Sequence, residues 1–429
     1  MKERLAIIDG IRTPQCRAGG VLRGFGADDL GAIAVRELML RTAYPESDVD
    51  ELILGNVAQP VHAANIARVV ALKAGLPTHL IAHTVHRNCA SGMQAISSAA
   101  NKIFSGEAEV MIAAGTESMS NIPLLYGPQM TKLFASLARA KTLGQRLKAL
   151  SSFRFSFLKP IVGLEKGLTD PVCGMIMGLT AEVLAREFQI PREEQDAFAL
   201  LSHQRAAAAR DAGRLAEEIV PLPVAPRYER VQEHDDGIRD DQTLEALAKL
   251  RPYFDRQTGT VTVGNACSIT DGAAALLVMS ESRAKSEGLE PLGYVRDYAY
   301  AALEGNRMGL GPVYATSKLL AKSGMKMKDF KLVEINEAFA VQVLACLRAF
   351  ESKEFAKQYL DRKTAPGAVD PELLNVNGGA VALGHPVGAT GTRLVLTVLK
   401  ELRRRNQNCG LATLCVGGGQ GAAFALEVT

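Results

Sequence analysis

Two glycine-dense runs near the end of the chain constrain its fold more than any other feature. The first, from Asn377 to Gly391, reads Asn-Gly-Gly-Ala-Val-Ala-Leu-Gly-His-Pro-Val-Gly-Ala-Thr-Gly, and the second is Cys415-Val-Gly-Gly-Gly-Gln-Gly421. Glycine costs roughly 0.5–1 kcal/mol inside a helix or strand, so dense glycine marks backbone that turns sharply or closes on a ligand. The first run carries one histidine, His385, and the second opens on a thiol, Cys415. A further isolated cysteine, Cys89, lies in His86-Arg-Asn-Cys-Ala-Ser-Gly92, where a strand pattern gives way to a helical one. Two thiols and one imidazole on tight turns point to thioester chemistry through a cysteine nucleophile.

The chain has 429 residues, more than one typical core holds, which predicts two or three domains. Hydrophobic residues make up 47% and charged ones 22%, the mixture of a globular enzyme. Tryptophan is absent and aromatics are only 5%, so a surface for stacking sugars or bases is not expected. A net charge of +3 excludes the broad basic field of a nucleic-acid binder, while leaving room for one basic patch facing an anionic small molecule. The seven cysteines are scattered and never form a Cys-x-x-Cys pair. That argues against a disulfide framework or a metal site and for a reducing compartment. No signal-peptide or transit pattern opens the chain, and no apolar run reaches the roughly 18 residues of a membrane span. A cytoplasmic protein is the expectation.

Apolar periodicity predicts strands over 5–8, 51–57 and 110–114, and helices over 30–41, 65–74 and from Cys89 to Gly106. This alternation implies an α/β domain with a covered sheet. Residues of about 120–260 break the rhythm. They include a helix opened by Pro191-Arg-Glu-Glu, with acids at its positive end, and a charged, proline-rich connector over 221–241. Strands are predicted again over 259–263 and 273–279. Beyond residue 288 the alternation returns, with strands over 331–335, 411–416 and 422–428 and helices over 336–350 and 390–404. Each half runs a strand into a Cys or Asn at a helix start, which suggests duplication of one α/β unit.

Each candidate residue has two readings. A lone Cys89 is equally a small buried hydrophobe. At a helix start beside Arg87, however, a thiolate is favoured and free backbone N–H groups can bind an oxyanion. His385, held between glycines and Pro386, is either a turn residue bonding backbone or a general base facing a cavity. Cys415 is either a core thiol at a strand end or a second acid–base group. Asn336, in Asn-Glu-Ala-Phe after a strand, has the make-up of an N-cap.

Together these segments resemble the thiolase family over nearly the whole chain: Asn-Cys-Ala-Ser-Gly at 88–92, Asn-Glu-Ala-Phe-Ala at 336–340, Gly-His-Pro-x-Gly-Ala-x-Gly at 384–391 and Cys-x-Gly-Gly-Gly-Gln-Gly at 415–421. Arg-Thr-Pro at 12–14, Gly-Thr-Glu-Ser-Met at 115–119, Gly-Thr-Val-Thr at 259–262 and Met-Gly-x-Gly-Pro at 308–312 add to it. The resemblance implies a five-layer α-β-α-β-α sandwich of two duplicated halves, 1–284 and 285–429, with a loop domain inserted at about 120–260. It also implies a homodimer or homotetramer.

The roles it implies are specific. Cys89 would accept the acyl group after His385 removes its proton, and Cys415 would shuttle the proton at the acetyl carbon. His385 and a water on Asn336 would receive the enolate oxygen, while the N–H groups of Cys89 and Gly417 would receive the tetrahedral adduct. Coenzyme A would be a substrate, with no other cofactor and no metal. Arg239 would meet its nucleotide end, and Met177, Phe254, Met308, Ala338 and Phe339 would line the pantetheine and acyl path. The chain departs from the family pattern at Cys267, where many thiolases have serine, and at Ile176, where histidine is usual.

Residues 121–164 hold no acid but seven bases, Lys132, Arg139, Lys141, Arg146, Lys148, Arg154 and Lys159, interleaved with leucines and phenylalanines. Such a stretch fits a membrane surface or a partner, or simply a solvated helix near CoA phosphates. It resembles the insert of thiolase subunits of fatty-acid β-oxidation complexes, implying a hydratase/dehydrogenase partner; those subunits usually carry histidine at the position of Asn336. The expected activity is thiolytic cleavage of 3-ketoacyl-CoA. The alternatives are an acetoacetyl-CoA thiolase, a decarboxylating condensing enzyme, against which Cys415 speaks, and a non-catalytic scaffold.

Overall fold

A computed structural model describes residues 3–224 and 226–429. Strands β1 (Leu5–Arg12), β2 (Glu51–Gly55), β3 (Ile81–Val85), β4 (Val110–Glu117) and β5 (Thr270–Ser280) form one half-sheet, ordered β3-β2-β4-β5-β1. Strands β6 (Gly293–Ala302), β7 (Val333–Ile335), β8 (Cys409–Val416) and β9 (Gln420–Glu427) form the other, ordered β7-β8-β9-β6. In each half the first strand runs antiparallel to the last, the last antiparallel to the middle one, and the middle one parallel to the second. The place of β3 is taken in the second half by Leu374, which bridges Val333 in parallel. One α/β unit is therefore used twice. The halves join where Leu5, Ala6 and Ile7 pair with Val295, Tyr294 and Gly293.

Five layers follow from the period-2 pattern of the strands. On β8, Cys409, Leu411 and Cys415 face one apolar cluster, whereas Ala412, Leu414 and Val416 face another. On β4, Val110, Ile112 and Ala114 point outward while Met111 and Ala113 point inward. Helices α1 (Ala27–Thr42) and α2 (Ile66–Ala74) cover the outer face of the first half-sheet. The outer face of the second is covered by α8 (Gly311–Ser323) and α9 (Ala340–Glu351). Between the sheets lie α3 (Ser91–Ser105) and α10 (Val387–Arg405). There Met93, Ile96, Leu394, Val398 and Phe424 are fully buried, each worth about 1.5–3 kcal/mol on removal from water.

The break in rhythm is a set of helices and short hairpins: α4 (Pro128–Arg139), α5 (Leu143–Ser151), α6 (Met177–Glu187) and α7 (Arg192–Asp211). Two expectations fail here and nearby. The strand predicted over 259–263 is not in a sheet, because the Glu182 carboxylate takes the N–H groups of Thr260 and Val261 at 2.8–3.0 Å. The helix predicted from Asn336 begins only at Ala340, with Phe339 as its cap, so Asn336 is not an N-cap. Among the described residues no helix is long and apolar enough to cross a membrane.

Candidate active site

The central helices bring the two halves of the site together. Gly92 on α3 and Gly391 on α10 let their first turns touch backbone to backbone. A Cβ on Gly92 would lie 2.6 Å from the Thr392 nitrogen, and one on Gly391 2.5 Å from the Met93 nitrogen. Cys89 precedes α3 by two residues and His385 precedes α10 by two, so the crossing places both at one end of the central layer. Cys415 arrives at the end of β8, and Asn336 is tied alongside by its N–H to Thr413 O at 3.0 Å.

The loop after Cys415 folds over Cys89. Gly418 and Gly419 adopt φ of +86° and +74°, the left-handed region that glycine enters freely. The Gly417 N–H favours the Cys89 thiolate, and the Gly417 carbonyl accepts a 2.7 Å hydrogen bond from Asn88 Nδ2. Asn88 itself has φ of +42°, which asparagine tolerates better than most residues. Arg87 turns away from the thiol. Its guanidinium donates to Gln94 and Gln420 and lies over the Tyr300 ring, pinning the glycine loop to α3.

The lowered thiol pKa expected of a helix start is therefore corrected. Burial pushes the Cys89 thiol up, and this outweighs the Gly417 N–H that favours the thiolate. Burial likewise holds Cys415 well above the ordinary thiol range and pushes Cys267 up to about 12. Charge on Cys89 raises both further, which places the three thiols in one electrostatic neighbourhood.

His385 is buried, and Nδ1 lies 2.6 Å from Thr390 Oγ1. The Thr390 hydroxyl donates to Pro386 O at 3.1 Å, so its oxygen accepts from His385 Nδ1–H. That arrangement puts the ring proton on Nδ1 and leaves Nε2, which has no partner among the described residues, as an unprotonated acceptor. Burial, with Arg393 nearby, pushes the imidazole down to about 3, so it is neutral at physiological pH. Asn336 is 1% exposed, and neither end of its carboxamide finds a partner among the described residues. Buried amides normally do, so this one is oriented for something outside the chain.

The remaining predicted residues divide. The segment 266–269 stitches the site together: Cys267 N–H donates to Ala338 O at 3.0 Å, Ala266 bridges Phe339, and Ile269 bridges His385. Met177 lies against Gly417, whose built Cβ would sit 3.4 Å from its sulfur. The Phe254 ring packs on Gly178 and meets Phe339 edge-on at 6.0 Å. Met308 is buried in the same cluster as Ala338 and Phe339 and is part of the wall rather than its surface. Arg239 is exposed, with its backbone N–H on His203 Nδ1 at 3.3 Å. Two residues escaped the reading of the sequence, Thr390 and the side chain of Asn88. Each stands within a quoted motif, but only the tertiary partner, Nδ1 or Gly417 O, gives it a task.

A thiol beside a glycine loop, a neutral imidazole on a rigid turn, a second buried thiol and a buried, unpartnered amide have the make-up of an acyl-transfer site. The chain belongs to the thiolase family: residues 5–282 match the thiolase N-terminal domain and 289–428 the thiolase C-terminal domain. Among its relatives is the 3-ketoacyl-CoA thiolase of Pectobacterium carotovorum subsp. carotovorum (strain PC1), 44% identical over 428 residues, covering 100% of this chain and 97% of that protein. A crystal structure of Bacillus anthracis acetyl-CoA acetyltransferase superposes with a TM-score of 0.86 at 37% identity, covering 99% and 98% of the two chains. Human mitochondrial 3-ketoacyl-CoA thiolase in complex with CoA gives 0.85 at 36% identity, covering 100% and 98%.

Proposed function

We propose that the protein cleaves 3-ketoacyl-CoA with CoA, in the degradative direction of fatty-acid β-oxidation. The observation that carries this reading is a buried, neutral His385 whose Nδ1 meets Thr390 and whose Nε2 has no partner among the described residues, in the same site as the Cys89 thiol, whose thiolate the Gly417 N–H favours. His385 Nε2 takes the proton of Cys89, and the sulfur attacks the 3-keto carbon. The N–H groups of Cys89 and Gly417 hold the resulting alkoxide. The C2–C3 bond then breaks. Its electron pair stays on C2 as the acetyl-CoA enolate, and the shortened acyl group remains on Cys89. The enolate oxygen rests at His385 and an Asn336-bound water, and Cys415 returns a proton to C2. CoA next gives up its thiol proton to the site and takes the acyl group, regenerating Cys89. No cofactor beyond this substrate is needed.

Around this chemistry we place CoA along Met177, Phe254, Cys267, Met308, Ala338 and Phe339, with its nucleotide end at Arg239. The functional units are 1–284, including a loop domain at about 120–260, and 285–429. The exposed edge strand β3, where Ile81 is 60% exposed, supports a homodimer or homotetramer. The basic insert 121–164 is the surface for a membrane or a hydratase/dehydrogenase partner: all seven bases are exposed, and among the described residues none forms an ion pair. Leu143 and Phe155 beside them are 73% and 85% exposed. The location is cytoplasmic. A second reading, condensation as an acetoacetyl-CoA thiolase, draws on the Bacillus relative. Turnover measured across 3-ketoacyl-CoA chain lengths separates the two.

The decisive test is Cys89→Ser. Mass spectrometry after mixing with acetyl-CoA is expected to find an acyl adduct on the native chain and none on the variant, whose turnover is abolished. An adduct on another residue overturns the assignment.

A further inference from the structure

A side chain from the opposite half of the molecule reaches the first turn of the helix that follows His385. Glu117 ends β4 and is fully buried, and four donors occupy its two oxygens. Oε1 accepts from Asn56 Nδ2 at 3.1 Å and Ala58 N–H at 2.9 Å; Oε2 accepts from Val57 N–H at 3.1 Å and Gly388 N–H at 2.9 Å. No lysine or arginine is among these partners. Its compensation is backbone N–H groups and the positive end of α10, whose first turn includes Gly388. That turn also holds the imidazole, through Nδ1 to Thr390 and Thr390 to Pro386.

We propose that Glu117 is a positioning residue for the general base: by holding Gly388 it docks the first turn of α10 onto β4 and so fixes where Nε2 stands relative to Cys89. The inference rests on His385 acting as the base of the thiolysis described above. A bare structural role, fastening the loop at 56–58, needs only three of the four bonds and none to α10. Gln in place of Glu supplies one acceptor oxygen and turns an NH2 group toward two N–H groups, so either the Val57–Gly388 pair or the Asn56–Ala58 pair loses its acceptor and the four-bond clamp on the first turn of α10 is broken. Burial also pushes this carboxyl up to about 7, so a polar group is kept here at a cost in solvation that a purely apolar contact would avoid.

The test uses the full chain with acetoacetyl-CoA and CoA. Glu117→Gln is expected to lower kcat on the order of 10²-fold, the effect of misplacing a catalytic group by about 1 Å, with both KM values within about threefold. Glu117→Asp, which keeps the charge on a shorter arm, is expected to fall between the two. Alkylation of Cys89 by iodoacetamide at alkaline pH, which needs no base, stays at the native rate in both. A kcat within about twofold of native in Glu117→Gln overturns the proposal. So does a parallel loss of kcat, KM and alkylation, which marks collapse of the whole site. If Glu117→Gln does not fold, Glu117→Asp decides by the same split. A His385→Ala chain that keeps turning over refutes the base itself, and a failure there is distinct from one at Glu117.

Discussion

Replacing Thr390 by valine removes one oxygen at nearly constant volume and tests how the base is prepared. In the native chain Nδ1–H of His385 donates to Thr390 Oγ1 at 2.6 Å, and that bond selects the tautomer with a bare Nε2. In the variant Nδ1–H is buried with no acceptor, a state costing about 1–3 kcal/mol relative to the bonded one. The ring escapes by moving its proton to Nε2, where it becomes a donor and ceases to be a base. At 1.36 kcal/mol per factor of ten, the competent tautomer falls roughly 5–150-fold. The expected result is a kcat lowered by that factor, with KM for CoA unchanged, since Thr390 is buried and its hydroxyl bonds His385 and Pro386. Thr390→Ser, which keeps the hydroxyl, stays near native. Nitrogen NMR of the imidazole reads the tautomer directly and is expected to show the proton on Nδ1 in the native chain and on Nε2 in Thr390→Val. Native turnover in Thr390→Val, or an unchanged tautomer, refutes the reasoning.

Cys415→Ala separates the two thiols: acetyl transfer from acetyl-CoA to Cys89 is expected to persist, while overall thiolysis falls about 10²–10⁴-fold with loss of the proton shuttle. Disappearance of both reactions makes Cys415 structural. Reversal of Lys132, Arg139, Lys141 and Arg146 to glutamate is expected to abolish sedimentation with anionic vesicles, each base contributing about 1 kcal/mol near the surface, and to leave KM for CoA unchanged. A variant that still binds vesicles but needs far more CoA assigns the insert to substrate binding instead.

Local chemistry in the sequence was enough for much of this molecule. The switch between two- and four-residue apolar spacing marked the strands and helices of both halves, because a sheet or helix buried on a face writes its period into the chain. The glycine runs around His385 and Cys415 announced backbone that only a tight site needs. What failed depended on partners far away in the chain. The stretch 259–263 has strand composition, yet Glu182, some eighty residues earlier, takes its N–H groups. Asn336 looks like a cap, but the next three residues stay outside the helix, with Ala338 and Phe339 meeting Cys267 and Ala266, and the helix waits until Ala340. Cys89 has the surroundings of a reactive thiolate, and only burial, a property of all five layers together, reverses the direction of its pKa. Which groups the chain possesses for acyl transfer is written in the order of its residues. Their protonation, the tautomer of His385 and the hold of Glu117 on its helix were decided by tertiary structure, because solvation and hydrogen-bond partners across hundreds of residues exist only once the two halves are packed.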